Sequence, residues 1–232
     1  MAFPLFQYNT SMKLRTKAER DVILGLIFEL YPTKLIELDF DTPFQLLTAV
    51  MLSAQMTDKG VNRATKKLFE IVKTPADLLK LEPEKVEVML RGVNYYRVKT
   101  KHLFLTAEKL VHEHGGKIPH TLETIRTLPG VGVKTAKVVL SHLYDMPFIG
   151  VDTHIHRVMN RMGIVKTKTP EETDKKLEKL LSEDQKRTMH HAIVLFGRYI
   201  CTAKKCKCSE TPLAKWCGCG ECRKFVMNGK II

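Results

Sequence analysis

The first 200 residues of this 232-residue chain contain no cysteine, and aromatic residues make up only 7% of the whole, with a single tryptophan. Cysteines spread through the chain would suggest a disulfide-bonded secreted protein, and their absence argues against that class. No apolar run approaches the roughly 20 residues that a membrane-spanning helix needs. Residues 1–13 also lack the pattern of a signal or transit peptide. We therefore expect a cytoplasmic protein without a membrane partner.

A strand pattern is also missing, because apolar and polar residues do not alternate over any useful length. Apolar residues recur instead at helical spacing, and threonine followed by proline marks three helix starts, at Thr42-Pro43, Thr74-Pro75 and Thr169-Pro170. Threonine caps free backbone N–H groups, and proline needs no N–H at the first helical position. Gly115-Gly116 and Gly163 stand where helices should end. The sequence predicts an all-α fold of about ten short helices.

Positive charge is what the chain has in excess. It contains 38 lysines and arginines against 25 acidic residues, a formal net charge of +13. Such a surplus suits a polyanionic partner, and nucleic acid is the first candidate. Charge alone does not decide between a nucleic-acid-binding protein and a soluble protein that happens to be basic.

A glycine-rich segment, residues 128–132 with the sequence Leu-Pro-Gly-Val-Gly, lies between two predicted helices. We predict a helix-hairpin-helix in which Gly130, Val131 and Gly132 present backbone N–H groups to a DNA phosphate. Glycine lets the backbone approach closely, and the next helix N-terminus adds positive partial charge. Gly132 is expected to adopt an unusual backbone angle. A plain helix–helix turn is the alternative.

Two residues that follow the hairpin carry possible chemistry. Lys134 falls in the first turn of the next helix, where the helix dipole, aided by partial burial, disfavours the protonated amine. A neutral lysine amine is a nucleophile. Asp152 follows eighteen residues later and supplies a carboxylate partner. The alternatives are a surface lysine that contacts phosphate and a helix cap formed by Asp152 or Thr153.

All six cysteines fall in one short C-terminal segment, which we call the cysteine loop, at positions 201, 206, 208, 217, 219 and 222. Disulfides do not normally cluster in this way in a cytosolic protein. A metal or iron–sulfur site is the better interpretation.

Four segments together resemble the endonuclease III branch of the helix-hairpin-helix DNA glycosylases, and the resemblance covers nearly the whole chain. They are residues 47–58, 128–140, 151–157 and 190–201. The resemblance implies that Lys134 forms a Schiff base with the sugar and that Asp152 is the essential carboxylate. It also implies that Gln55 fills the gap left by an everted base.

The same resemblance implies that residues 93–97, the wedge loop, insert into the DNA duplex, with Tyr95 at the wedge position. Asn94 departs from the family, which usually has glycine there. Asparagine tolerates left-handed backbone angles better than most residues. We therefore expect the loop to keep its conformation.

The family's cysteine pattern, Cys-x6-Cys-x2-Cys-x5-Cys, implies a [4Fe–4S] cluster bound by four thiolates. Cys201, Cys208 and Cys217 fit this pattern, but Thr211 occupies the third position. Our prediction for the fourth ligand is Cys222, with Cys206 and Cys219 as alternatives. A zinc site that uses Cys217, Cys219, Cys222 and one more thiol, or no metal at all, also remains open. The loop is expected to place Lys204 and Lys205 against DNA phosphates.

The resemblance implies two helical domains around a cleft, with Lys134 and Asp152 facing each other across it. Residues 36–146 would form a six-helix barrel that carries the hairpin, and residues 1–35 and 147–232 the domain with the cysteine loop. The implied function is a monomeric, nucleoid-associated DNA glycosylase and AP lyase that removes oxidised pyrimidines from double-stranded DNA and cleaves at abasic sites. Alternatives are a glycosylase for mismatched or otherwise altered bases and a non-catalytic DNA-binding module.

Overall fold

The structure, a computed structural model, describes residues 13–32, 36–220 and 222, so the segment inspected for targeting signals lies almost entirely outside it. Within these residues the chain is helical, and the only strand-like feature is an isolated antiparallel bridge between Cys201 and Cys206. The all-α prediction is confirmed. The helices are α1 Lys17–Leu30, α2 Pro43–Leu52, α3 Asp58–Ile71, α4 Pro75–Leu79, α5 Pro83–Met89, α6 Tyr96–His114, α7 Leu122–Ile125, α8 Val133–Tyr144, α9 Thr153–Arg161, α10 Pro170–Leu180 and α11 Glu183–Tyr199, followed by a 3-10 turn at Cys208–Glu210.

The three predicted threonine–proline starts are helix N-termini. The hydroxyl oxygens of Thr42, Thr74 and Thr169 each accept a hydrogen bond from the backbone N–H three residues later. Each bond satisfies one of the N–H groups that has no partner within the helix. Gly115 ends α6 in the left-handed conformation, with φ +57°.

The chain forms two compact units, of which one is continuous, Ile36–Gly150, and the other combines Met1–Leu35 with Val151–Ile232. In the continuous unit α2 is buried from Phe44 to Leu52 and packs against α3, α6 and α8. Its buried Gln45 side chain donates hydrogen bonds to the carbonyls of Phe69, 2.9 Å away, and Val72, 2.8 Å away. These bonds join the start of α2 to the end of α3.

In the second unit α9 packs against α10 and α11, and α1 packs against α11. Ile23, Ile27, Met159 and Phe196 are fully buried in this unit. Arg157 of α9 is also buried, and its guanidinium donates hydrogen bonds to backbone carbonyls, which offsets the cost of burying its charge. Through Arg157, α9 is therefore hydrogen-bonded to the start of the cysteine loop.

None of the helices in the described part of the chain combines the length and apolar character needed to cross a membrane.

Candidate functional site

The glycine-rich hairpin joins α7 to α8 as predicted. Gly130 has φ +76°, and a Cβ atom built there would lie 2.9 Å from the His102 side chain. Glycine is thus required at this position for two independent reasons, the backbone angle and the space. The Thr106 hydroxyl donates a hydrogen bond of 2.8 Å to the Pro129 carbonyl, which fixes the hairpin on α6.

Gly132 does not have the unusual angle that we expected for it. Its φ is −80°, an ordinary value, and nothing lies within 4 Å of a Cβ built on it. Gly132 is the N-cap of α8 and is exposed, so no side chain at this residue covers the N-terminus of the helix from solvent. The chain reverses at Gly130, and therefore the left-handed angle falls there.

Lys134 is the second residue of α8 and its side chain is exposed. The position in the first helical turn is as predicted, whereas the partial burial is not observed. A Cβ atom added to Gly150 would lie 3.1 Å from the Lys134 carbonyl oxygen. The absence of a side chain at residue 150 is therefore what lets the chain pass this close to the first turn of α8.

Asp152 is the N-cap of α9, the alternative that the sequence left open. Its Oδ1 atom accepts hydrogen bonds from the backbone N–H groups of His154, at 2.9 Å, and Ile155, at 2.8 Å. Two such bonds hold the carboxylate in one orientation. A cap fixed in this way is compatible with a chemical role, because the same two bonds that stabilise the helix also position the charge.

The wedge loop is hydrogen-bonded to the segment that follows α2. Gln55 and Tyr95 are both exposed and both have left-handed backbone angles, with φ +59° and +58°. The Asn94 side-chain amide donates a 2.7 Å hydrogen bond to the Gln55 carbonyl. The left-handed angle therefore falls on Tyr95, whereas Asn94 contributes a link between the two loops that a glycine could not make.

Lys99 supports the same segment, a role that no motif in the sequence indicates. Its Nζ atom donates hydrogen bonds to the carbonyls of Leu52, at 2.8 Å, and Ala54, at 2.6 Å, where α2 ends. Burial lowers the pKa of the Lys99 ammonium. Lys99 caps the Leu52 carbonyl, which α2 itself cannot satisfy, and also binds the Ala54 carbonyl just after the helix.

The cysteine loop brings all six thiols together. None of the six forms a disulfide, and all are buried except Cys219, which is half-buried. The sulfurs form two groups of four in which every pair lies within 4.8 Å, namely Cys201 with Cys206, Cys208 and Cys217, and Cys206 with Cys217, Cys219 and Cys222. Cys222, our predicted fourth ligand, does not join Cys201 and Cys208 in one group, and Cys206 does.

Two arginines of α9 bind the cysteine loop, and the sequence analysis missed this role. The Arg157 Nε atom donates to the Cys201 carbonyl at 2.8 Å. Arg161 donates through Nη1 to the Thr202 carbonyl at 2.7 Å and lies 3.6 Å from the Cys201 sulfur. Hydrogen bonding from the Cys206 thiol, together with the nearby Arg161 guanidinium, lowers the pKa of the Cys201 thiol. The four-residue spacing of two arginines on one helix face was the available signal.

The cysteine loop is compatible with a metal centre, because its donors are closely grouped thiols in a largely buried place. The residues do not reproduce the four-cysteine iron–sulfur pattern, since Thr211 stands at its third position. Lys204 and Lys205 are exposed on the same loop, as their predicted contact with phosphates requires.

Residues 48–183, more than half of the chain, match the sequence model of the HhH-GPD superfamily of base excision DNA repair proteins. The chain belongs to the HhH-GPD superfamily. Endonuclease III of Escherichia coli strain K12 is 40% identical to it over 201 residues, which cover 87% of this chain and 95% of that protein. Endonuclease III of Bacillus subtilis is 38% identical over 201 residues, covering 86% of this chain and 92% of that one.

A solved structure agrees with this HhH-GPD assignment. A trapped covalent intermediate of endonuclease III with DNA has a chain that is 36% identical to this one, with a TM-score of 0.84, covering 92% of this chain and all of that one. The predictions of an endonuclease III-like fold and of a base excision repair DNA glycosylase/AP lyase are confirmed.

Proposed function

We propose that this HhH-GPD protein is a bifunctional enzyme that removes oxidised pyrimidines from double-stranded DNA and cleaves the strand 3′ to the resulting abasic site. Lys134 is the nucleophile and Asp152 the essential carboxylate. The observation that carries the proposal is the presence of a lysine in the first turn of α8, directly after the phosphate-binding hairpin. The similarity to an endonuclease III chain trapped covalently on DNA supports it.

The proposed reaction starts with the neutral Lys134 amine. Its Nζ atom attacks the sugar C1′, the glycosidic C1′–N bond breaks, and the base leaves with the bonding electron pair and takes up a proton. The Asp152 carboxylate accepts the proton that Nζ loses and stabilises the positive charge that develops on the sugar. Opening of the sugar ring gives an imine between Nζ and C1′. Loss of a C2′ proton then breaks the C3′–O bond, which cuts the strand, and water releases the lysine.

DNA binding is assigned to three parts of the chain. The backbone N–H groups of residues 130–132 approach a phosphate at the N-terminus of α8, where the helix dipole favours an anion. Lys204 and Lys205 contribute further phosphate contacts. Gln55 fills the gap that the everted nucleotide leaves, and Tyr95 inserts into the duplex as the wedge; the exposure of both side chains and their positions in loops suit these roles.

The cysteine loop is proposed to hold a metal centre that orders Lys204 and Lys205 for DNA binding and takes no part in the chemistry. The family resemblance implies a [4Fe–4S] cluster with four irons and four acid-labile sulfides per chain, but Thr211 leaves its four-cysteine pattern one ligand short. We also propose that the enzyme acts as a monomer on nucleoid DNA. Sedimentation of the free and DNA-bound protein tests the monomer, because a dimer would double the protein mass bound to a duplex with one lesion.

Borohydride trapping tests the catalytic proposal. Borohydride reduces an enzyme–DNA imine to a stable amine, so the wild-type protein should become covalently attached to a duplex that contains an oxidised pyrimidine or an abasic site. Lys134→Gln should abolish trapping and strand cleavage but keep DNA binding, whereas Lys101→Gln, which changes an exposed lysine of α6, should behave as wild type.

Two results would contradict the proposal. Trapping that persists in Lys134→Gln would place the nucleophile elsewhere. If the wild-type protein were trapped only on duplexes with mismatched bases, and not on those with oxidised pyrimidines, the imine mechanism would stand but the proposed substrate would be wrong.

A further inference from the structure

The two groups of four thiols in the cysteine loop share two members. Cys206 and Cys217 belong to both groups, and their Sγ atoms lie 3.7 Å apart. Each group also has two members of its own, Cys201 and Cys208 in the first and Cys219 and Cys222 in the second. The sulfurs are thus arranged as two tetrads with a common edge.

We propose that this loop binds two tetrahedral zinc ions that are bridged by the thiolates of Cys206 and Cys217. Cys201 and Cys208 complete the first ion's coordination, and Cys219 with Cys222 completes the second's. Two four-coordinate ions need eight metal–sulfur bonds, and six thiolates supply eight only when two of them bridge. The overlap between the two tetrads provides the two bridging ligands.

The distances between the sulfurs match those expected when four thiolates bind one zinc ion. A zinc–sulfur bond of about 2.3 Å in a tetrahedral site places the sulfurs about 3.8 Å apart. The Cys206 sulfur lies 3.7 Å from that of Cys217 and 3.9 Å from that of Cys222. In a [4Fe–4S] cluster each cysteine binds a different iron, and sulfide ions separate the irons, so the cysteine sulfurs lie farther apart.

Thr211, which occupies the third cysteine position of the iron–sulfur pattern, also argues against a [4Fe–4S] cluster. The Thr211 hydroxyl donates a 2.8 Å hydrogen bond to the Cys208 carbonyl and accepts one from the Leu213 N–H. Its oxygen is therefore part of a local turn. A single four-thiolate centre built on the first tetrad would also leave Cys219 and Cys222 without a function, whereas the two-ion centre uses every cysteine of the chain.

Burial and charge suit such a centre. Six thiolates and two Zn²⁺ ions have a net charge of −2, which needs compensation in a buried place. The Arg161 Nη1 atom lies 3.6 Å from the Cys201 sulfur, and the Cys222 backbone N–H donates to the Cys219 sulfur at 3.3 Å. Exposed Lys205 and Lys207 flank Cys206 in the sequence and add positive charge nearby.

Metal and sulfide analysis of the full-length protein tests the proposal without reference to activity. The protein is produced in medium that supplies both iron and zinc and is purified without air. We expect two zinc ions per chain and no acid-labile sulfide. Four irons with sulfide, a single zinc ion, or a metal-free protein would each overturn the proposal. None of these results bears on whether Lys134 is the nucleophile.

A double variant tests the bridged arrangement. Cys219→Ala with Cys222→Ala removes the second ion's own ligands but leaves the first tetrad intact, so the zinc content should fall from two ions to one. Ser209→Ala, a change in the same loop at a residue outside both tetrads, should retain two. Cadmium-113 NMR of the cadmium-substituted proteins should show two signals for the wild type and one for the double variant. Two ions in the double variant, or a single signal for the wild type, would contradict bridging.

Discussion

At the scale of single residues, Asp152 combines a structural and a proposed chemical role, and one pair of substitutions separates them. Asparagine caps helices about as well as aspartate, so Asp152→Asn should keep the bonds from the N–H groups of His154 and Ile155. We expect its free energy of unfolding to change by less than about 0.5 kcal/mol. Its turnover should fall by several orders of magnitude, because the charge that stabilises the sugar cation is lost. Denaturant unfolding and single-turnover cleavage measure the two effects.

The matched variant for this test is Asp152→Ala. It removes the cap as well as the charge and should lose about 1 kcal/mol of stability in addition to activity. If Asp152→Asn cleaved damaged DNA at the wild-type rate, Asp152 would be a helix cap and nothing more.

Lys99 contributes to stability by holding the backbone at the end of α2 in place. Lys99→Met keeps the length of the side chain but removes the two hydrogen bonds to the carbonyls of Leu52 and Ala54. We expect the protein to lose about 2 kcal/mol of stability, since the two carbonyls, one of which belongs to the fully buried Leu52, lose a charged donor.

The control is Lys101→Met, which changes an exposed residue of the same helix and should leave stability within about 0.5 kcal/mol of the wild type. Thermal unfolding of both variants shows whether the hydrogen bonds of Lys99 stabilise the protein. Equal melting temperatures for the two would show that the bonds made by Lys99 are no stronger than those that water would make.

At the scale of structural elements, the hairpin between α7 and α8 depends on one glycine. Gly130→Ala introduces both a strained backbone angle and a clash with His102, since the added Cβ would lie 2.9 Å from that side chain. Strain at a positive φ costs on the order of 1 kcal/mol, and displacement of the hairpin should also weaken DNA binding at least tenfold. Unfolding and fluorescence-anisotropy titrations measure the two quantities.

Gly116→Ala is the control for backbone strain alone. Gly116 has the same φ of +76°, but nothing lies within 4 Å of its added Cβ. The two variants should therefore share the loss from strain, while only Gly130→Ala should weaken DNA binding. If Gly116→Ala weakened binding as much, the loss would reflect general destabilisation instead of the hairpin geometry.

At the scale of the whole molecule, the two units have separate cores, so loss of metal should affect them unequally. Buried apolar residues between Leu38 and Leu140 of the continuous unit form one cluster. The cysteine loop belongs to the other unit, where Arg157 and Arg161 connect it to α9. Stripping the metal with a chelator under reducing conditions should therefore speed amide exchange on the order of tenfold or more in residues 195–217 and leave α2 and α8 protected.

Hydrogen exchange followed by mass spectrometry measures this difference, and protein reloaded with metal is the control. A uniform loss of protection across both units would show that the two cores unfold together. Unchanged exchange everywhere would show that the cysteine loop holds its structure without metal.

The sequence by itself determined the helical elements and the family. Helical spacing of apolar residues and threonine–proline starts are local signals, and they placed the N-termini of α2, α4 and α10 at the residues where the structure has them. The Leu-Pro-Gly-Val-Gly hairpin and the residues that follow it are contiguous, so they too could be recognised without a structure. These features could be predicted because the physics that fixes them acts within a few residues of chain.

The tertiary structure decided what depends on contacts between distant segments. The chain itself did not show that Gly130 is constrained by His102 on α6, that Asn94 reaches Gln55, or that Lys99 caps α2, because each pair is separated by 28 to 47 residues. The partners of the six cysteines were likewise undecided, because spacing along a loop does not say which sulfurs meet. Their grouping follows from the bridge between Cys201 and Cys206 and from the return of the chain after Cys217, which only the folded backbone defines.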